Sequence, residues 1–62
     1  MNEKNKLELL LDEVTKLEDK YYEFSDNAID RGDMNAMQLM SAQATTFQRV
    51  RYMIEELLEN EI

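Results

Sequence analysis

Few side chains in this 62-residue chain could carry chemistry. It contains no Cys and no His, which removes thiol nucleophiles, disulfides, imidazole bases and ordinary zinc sites together. Ser25 and Ser41 have no His or Lys at a suggestive spacing, so a hydroxyl nucleophile has no visible base. The acids Asp12, Asp19, Glu23, Asp26 and Asp30 lack the Gly-containing loop that wraps calcium and read as a solvated face. Arg31-Gly32-Asp33 spells an adhesion tripeptide, yet a Gly closing one helix and an Asp opening the next account for it fully. The expectation is a chain without catalysis, cofactor or metal.

The charge balance points the same way. Seven Lys and Arg against fourteen Asp and Glu give a net charge of −7, a field that repels nucleic acid and anionic lipid unless a local patch overrides it. Lys6, Lys16, Lys20 and Arg49 are the one basic cluster, diluted by Glu13, Glu23 and Glu56. No apolar run approaches the roughly 18 residues of a membrane span, and no apolar stretch follows a basic start as in a secretory signal, so a cytoplasmic location is expected.

The elements that position these residues follow from composition. With no Pro and a single Gly, almost nothing interrupts a helix, and the lone Gly32 lies near the middle. The sequence predicts one all-α domain over 1–62, an antiparallel two-helix hairpin resembling a coiled coil. Its helices run over about 3–31 and about 34–60, and it turns near Gly32. Asn5-Lys6-Leu7-Glu8 fits a capping box for the first helix.

Both halves carry a heptad stripe. In the first it runs Leu7, Leu10, Val14, Leu17, Tyr21, Phe24 and Ala28; in the second, Ala36, Met40, Gln43, Phe47, Val50, Ile54 and Leu57. If the chain reverses at Gly32, these stripes face each other layer by layer, from Leu7 with Leu57 to Ala28 with Ala36. Tyr21 would then hydrogen-bond Gln43, the one polar member. Asp12 and Lys16 form an i,i+4 pair, and Lys4 and Lys6 are expected beside the acids Glu55, Glu56, Glu59 and Glu61.

Two helices sharing one seam bury little apolar surface for the chain they order, so a second surface should also find cover. Leu11, Tyr22, Ile29, Met34, Met37, Ala44 and Leu58 fall on one flank of the expected pair, with Thr15, Ser25 and Ser41 between them. The stretch 34–48 contains no charged residue, and Met34, Met37 and Met40 recur every three positions. Unbranched thioethers suit a surface that adapts to a partner. The flank is therefore the expected partner-binding site, its occupant either a second copy in a four-helix bundle or a different helical protein.

Three families share this shape. In length and form the chain is similar to small plasmid-encoded helical hairpins that dimerise and bind paired RNA loops, which would make the basic cluster an RNA contact. It is also similar to hairpin phosphatases of response-regulator aspartates, whose Ser-x-x-Leu-Asp motif on the second helix corresponds here to Ser41-Ala42-Gln43-Ala44-Thr45. Only the Ser is kept. The run from Ile29 to Ile54 resembles the small helical-hairpin co-chaperones of type III secretion needle subunits, through Arg31, Gly32, Gln38 and the apolar rhythm. That resemblance implies a non-catalytic cytoplasmic protein that pairs with a helical-repeat chaperone and keeps the needle subunit from polymerising.

Overall fold

The computed structural model describes residues 3–60, which form two helices, α1 (Glu3–Asp30) and α2 (Met34–Asn60), packed side by side as an antiparallel hairpin. The chain measures 45 × 17 × 11 Å, a slab two helices wide and one deep. The fold class and the position of the turn agree with the sequence reading. Because α1 begins at Glu3, Asn5 and Glu8 lie inside the helix rather than capping it.

The turn is made by backbone hydrogen bonds and one side-chain cap. Gly32 takes a left-handed conformation at φ 73°, the one positive φ among the described residues. Its N–H donates to the Ile29 carbonyl at 2.9 Å, and the Asp33 N–H donates to the Ala28 carbonyl, also at 2.9 Å. This crossed pair satisfies two of the carbonyls that the end of α1 leaves open. Asp33 then caps α2: its Oδ1 accepts from the Ala36 N–H at 3.1 Å, while its carbonyl accepts from the Met37 N–H at 3.0 Å. Gly32 and Asp33 of the adhesion-like tripeptide are thus spent on ending one helix and starting the next.

Along the hairpin the seam differs from the expected one by a rotation of both helices. On α1 the covered positions are Leu7, Leu11, Val14, Thr15, Glu18, Tyr21, Ser25 and Ala28. Leu7, Val14, Tyr21 and Ala28 are common to the expected stripe, but Leu11, Glu18 and Ser25 replace Leu10, Leu17 and Phe24. On α2, Met40, Phe47 and Ile54 are common to it. Met37, Ala44, Arg51 and Leu58 supplant Ala36, Gln43, Val50 and Leu57, of which Gln43 and Leu57 are exposed while Ala36 and Val50 sit half-buried at the edge.

Small side chains explain the rotation. Ala28 and Ala44 are fully buried, at 0% exposure, and the Ser25 and Ser41 hydroxyls meet across the seam at 2.8 Å. Backbones approach closely where such residues face each other, and the hydroxyl pair satisfies itself in the process. Tyr21 accordingly stacks on Phe47, with ring centroids 5.5 Å apart and planes at 20°, rather than facing the exposed Gln43.

The expected charge pairing is met in part. Lys16 reaches Asp12 at 3.1 Å and Glu13 at 3.7 Å, and these acids raise its pKa, the Asp12 hydrogen bond most. Among the described residues, Lys4 and Lys6 form no ion pair with α2, and Glu55 pairs within its own helix with Arg51 at 3.2 Å. Glu61 lies outside the described residues.

Two substitutions test this geometry by thermal denaturation. No atom lies within 4 Å of the position a Cβ on Gly32 would take, so Gly32→Ala meets only the cost of its positive φ. It is expected to lose about 1 kcal/mol, lowering Tm by roughly 4–8 °C. Ala44→Leu, placed where the side chain is fully buried in the seam, should cost about 1–3 kcal/mol by overpacking. An unchanged Tm for Ala44→Leu would mean that the helices do not meet at that position.

Candidate protein-binding surface

A helix advances 100° per residue, so the seam fixes which residues lie on each broad face of the slab. One face carries Leu10, Leu17 and Phe24 from α1, spaced by sevens, together with Gln43, Val50 and Leu57 from α2. Contacts tie this face together across the hairpin. The Phe24 ring meets Tyr21 edge-on at 5.7 Å, Tyr21 stacks on Phe47, and Leu7, Leu10 and Leu57 line a cleft of about 430 Å³ with Glu3 and Lys6 at its rim. Leu10 is 49% exposed, Leu17 37%, Phe24 40% and Leu57 53%. For large apolar side chains at heptad spacing, that is a continuous stripe left in water.

The opposite face holds the flank expected to bind a partner, and the rotation of the helices divides it. Ala44 is consumed by the seam, so it offers no surface to another molecule and is corrected from a partner-binding residue to a packing residue. Leu11, Met37 and Leu58 are half-buried against the other helix. Tyr22, Ile29 and Met34 remain exposed, grouped toward the turn. The expected seven-residue surface is therefore a short apolar patch beside Gly32, and the longer open stripe lies on the other side of the slab.

Between the two faces runs a polar stretch of seam that apolar periodicity does not reveal. The Arg51 Nε donates to Glu18 Oε1 at 2.6 Å, and its Nη1 donates to Glu55 Oε1 at 3.2 Å. Glu18 is buried, its carboxylate shielded by the chain yet paired, and the bond to it raises the pKa of Arg51 above the already high value of a guanidinium. Arg51 also lies 4.8 Å from the centre of the Tyr52 ring, which covers its outer side. Every buried side-chain nitrogen and oxygen among the described residues has a partner. This network fixes the register between α1 and α2 more tightly than sliding apolar contacts can.

The residues weighed for chemistry are accounted for structurally. The Ser25 hydroxyl faces Ser41 and the Met37 carbonyl, at 3.4 Å, and the Ser41 hydroxyl approaches the Met37 sulfur at 3.7 Å. Asp12, Asp19, Glu23, Asp26 and Asp30 are all exposed. Lys6, Lys16 and Lys20 are exposed on α1, with Lys20 Nζ lying 5.7 Å from the centre of the Phe24 ring, and Arg49 is exposed on α2. No helix among the described residues is long and apolar enough to cross a membrane.

No family model matches the chain, and no curated protein or solved structure matches it. What the molecule offers to a partner must be read from its own surface.

The polar seam can be tested apart from that surface. Arg51→Leu alone strands the buried Glu18 carboxylate in the seam and should lower Tm by several degrees, while Glu18→Leu leaves Arg51 its bond to Glu55 and should cost less. The double variant should return to or exceed the parent, because two packed apolar groups avoid the desolvation that the pair bears. Additive losses in the double variant would show that the two side chains act independently.

Proposed function

We propose that this protein acts without catalysis, by protein–protein binding through the open apolar stripe of the hairpin. The observation that carries the reading is the exposure of Leu10, Leu17, Phe24 and Leu57 along nearly the whole length of one face. Side chains of this size at seven-residue spacing match the pattern by which one helical surface recognises another, knobs against holes. The acids on the outward sides of the hairpin discourage polyanion contact and nonspecific association.

Within this class, the resemblance to needle-subunit co-chaperones supports the narrower form. A small hairpin that shields an aggregation-prone helical subunit needs an adaptable apolar face and no active site. A cytoplasmic setting belongs to the same proposal. The uncharged first half of α2, together with Leu39 and Met53 exposed along the edge of the stripe on that helix, supports an adaptable surface over a rigid one. The RNA-binding alternative has weaker support, since Lys16 is already paired with Asp12 and Glu13, and Lys20 lies against Phe24.

Leu17→Glu tests the proposal. The substitution sets a carboxylate in the middle of the stripe at an exposed helical site, so helicity by circular dichroism should be nearly unchanged. Co-purification from the native host is expected to lose the partner at least tenfold. Retention of the same partner at parental yield would move the functional surface elsewhere.

A further inference from the structure

Resting on that reading of the apolar stripe, we infer that, until another helical protein takes it, the occupant of the face is a second copy of this chain. The two hairpins are related by a two-fold axis that crosses the helices near Leu17 and Thr46 and sets α1 on the partner's α1 and α2 on the partner's α2. The product is a four-helix bundle in which all neighbouring helices are antiparallel.

The edges of the face carry this assignment. Along the outer edge of α1 lie Lys6, Glu13, Lys20 and Asn27, and along the outer edge of α2 lie Leu39, Thr46 and Met53. One edge is charged and the other is not. Leu39 and Met53 are each 56% exposed, the most exposed large apolar side chains among the described residues.

Pairing α1 with its own copy about Leu17 sets Glu13 opposite the second copy's Lys20, and Lys20 opposite its Glu13, so two opposite-charge pairs close one edge of the interface. The same axis sets Leu10 beside the second copy's Phe24 and brings the two Leu17 side chains together. On α2 it places Leu39 against the second copy's Met53 and Thr46 against Thr46, covering the apolar edge with itself.

The other antiparallel stacking, α1 on the second copy's α2, sets Glu13 against Met53 and Lys20 against Thr46. Charges would then meet apolar or neutral groups along both edges, desolvated without compensation. Complementarity selects the self-paired arrangement.

Two further features fit a second copy. Symmetry about one axis is required of both helices at once: the stripe of α1 is centred on Leu17 and the edge of α2 on Thr46. The hairpin turn places these positions within about one helical turn of each other along the slab, since residues that meet across the seam have numbers summing to 66 for Ser25 with Ser41 and 68 for Tyr21 with Phe47. The broad face of the slab, 45 × 17 Å, projects to about 770 Å², close to the roughly 800 Å² per partner of a stable specific interface.

Engineered cysteines test the arrangement in the full chain, which has none of its own. Under mild oxidation, Leu17→Cys and Thr46→Cys should each give a covalent dimer, because each position meets its own copy at the axis. Leu39→Cys should cross-link only when combined with Met53→Cys. Sedimentation equilibrium of the cysteine-free protein provides the second arm. Glu13→Lys should weaken the dimer about tenfold, and adding Lys20→Glu should restore it.

Cross-linking at Leu17 and Thr46 together with rescue by the charge swap establishes the inference. A dimer that cross-links between Leu17→Cys and Phe47→Cys, and not at Leu17→Cys alone, overturns the axis. A chain that sediments as a monomer at about 10⁻⁴ M, 100-fold above the Kd of a micromolar dimer, overturns the second copy as occupant. In that case loss of the host partner on Leu17→Glu still upholds the binding role, so the two readings fail separately.

Discussion

The burial of small side chains along the seam, Ala28 and Ala44 at 0% exposure and Ser25 against Ser41 at 2.8 Å, shapes everything else in this hairpin. Where side chains are that small, helices settle against each other at those positions, and every other residue takes its place relative to that line. The rotation costs the seam some apolar content: Leu10, Leu17 and Phe24 turn outward, while Glu18, Ser25, Ser41 and Arg51 turn inward. Polar residues can occupy a seam only because each finds its complement there, hydroxyl with hydroxyl and carboxylate with guanidinium. The polar contacts set register, and the displaced apolar residues become the surface.

Much of this was legible in the sequence, and the part that was not has a definite physical cause. One Gly without any Pro located the turn, and the Asp after it identified the second helix start, because backbone conformation at those positions admits few residue types. The seam was harder. Two heptad readings of α1 interleave, sharing Leu7, Val14, Tyr21 and Ala28 and differing only in whether the remaining positions are Leu10, Leu17 and Phe24 or Leu11, Glu18 and Ser25. Apolarity favours the first set. Steric fit and reciprocal hydrogen bonding favour the second, and neither can be seen in one helix alone, because Glu18 looks costly until Arg51 is set across from it and Ser25 until Ser41 is.

The same ambiguity relocated the candidate surface. Tyr22, Ile29 and Met34 are exposed as a protein-binding flank requires, whereas Ala44 lies against the other helix. Apolar spacing sets Leu10, Leu17 and Phe24 in the stripe of α1 and Leu57 in the stripe of α2, and turns both stripes to the interior of a single hairpin. A stripe of this kind has two uses that look alike in sequence. In an isolated pair it points directly at the neighbouring helix. In a four-helix assembly it points toward the centre of the bundle, between two neighbours, which turns it partly away from the helix joined to it by the loop. The observed rotation turns the stripe partly away from the other helix, the orientation that the proposed self-association would use.

That connection separates stability from recognition in this molecule. The Gly32–Asp33 turn, the small-residue contacts and the Glu18–Arg51–Glu55 network hold α1 against α2 without drawing on the stripe's largest side chains. Those side chains remain free to lower the free energy of association instead of the free energy of folding. A hairpin that buried Leu17 and Phe24 internally would be better satisfied alone and would have less reason to bind. Placing the polar groups inside, where a fixed partner can match each of them, and the apolar groups outside, where affinity grows with area covered, gives a small chain a defined register and leaves apolar surface on which the proposed binding can draw.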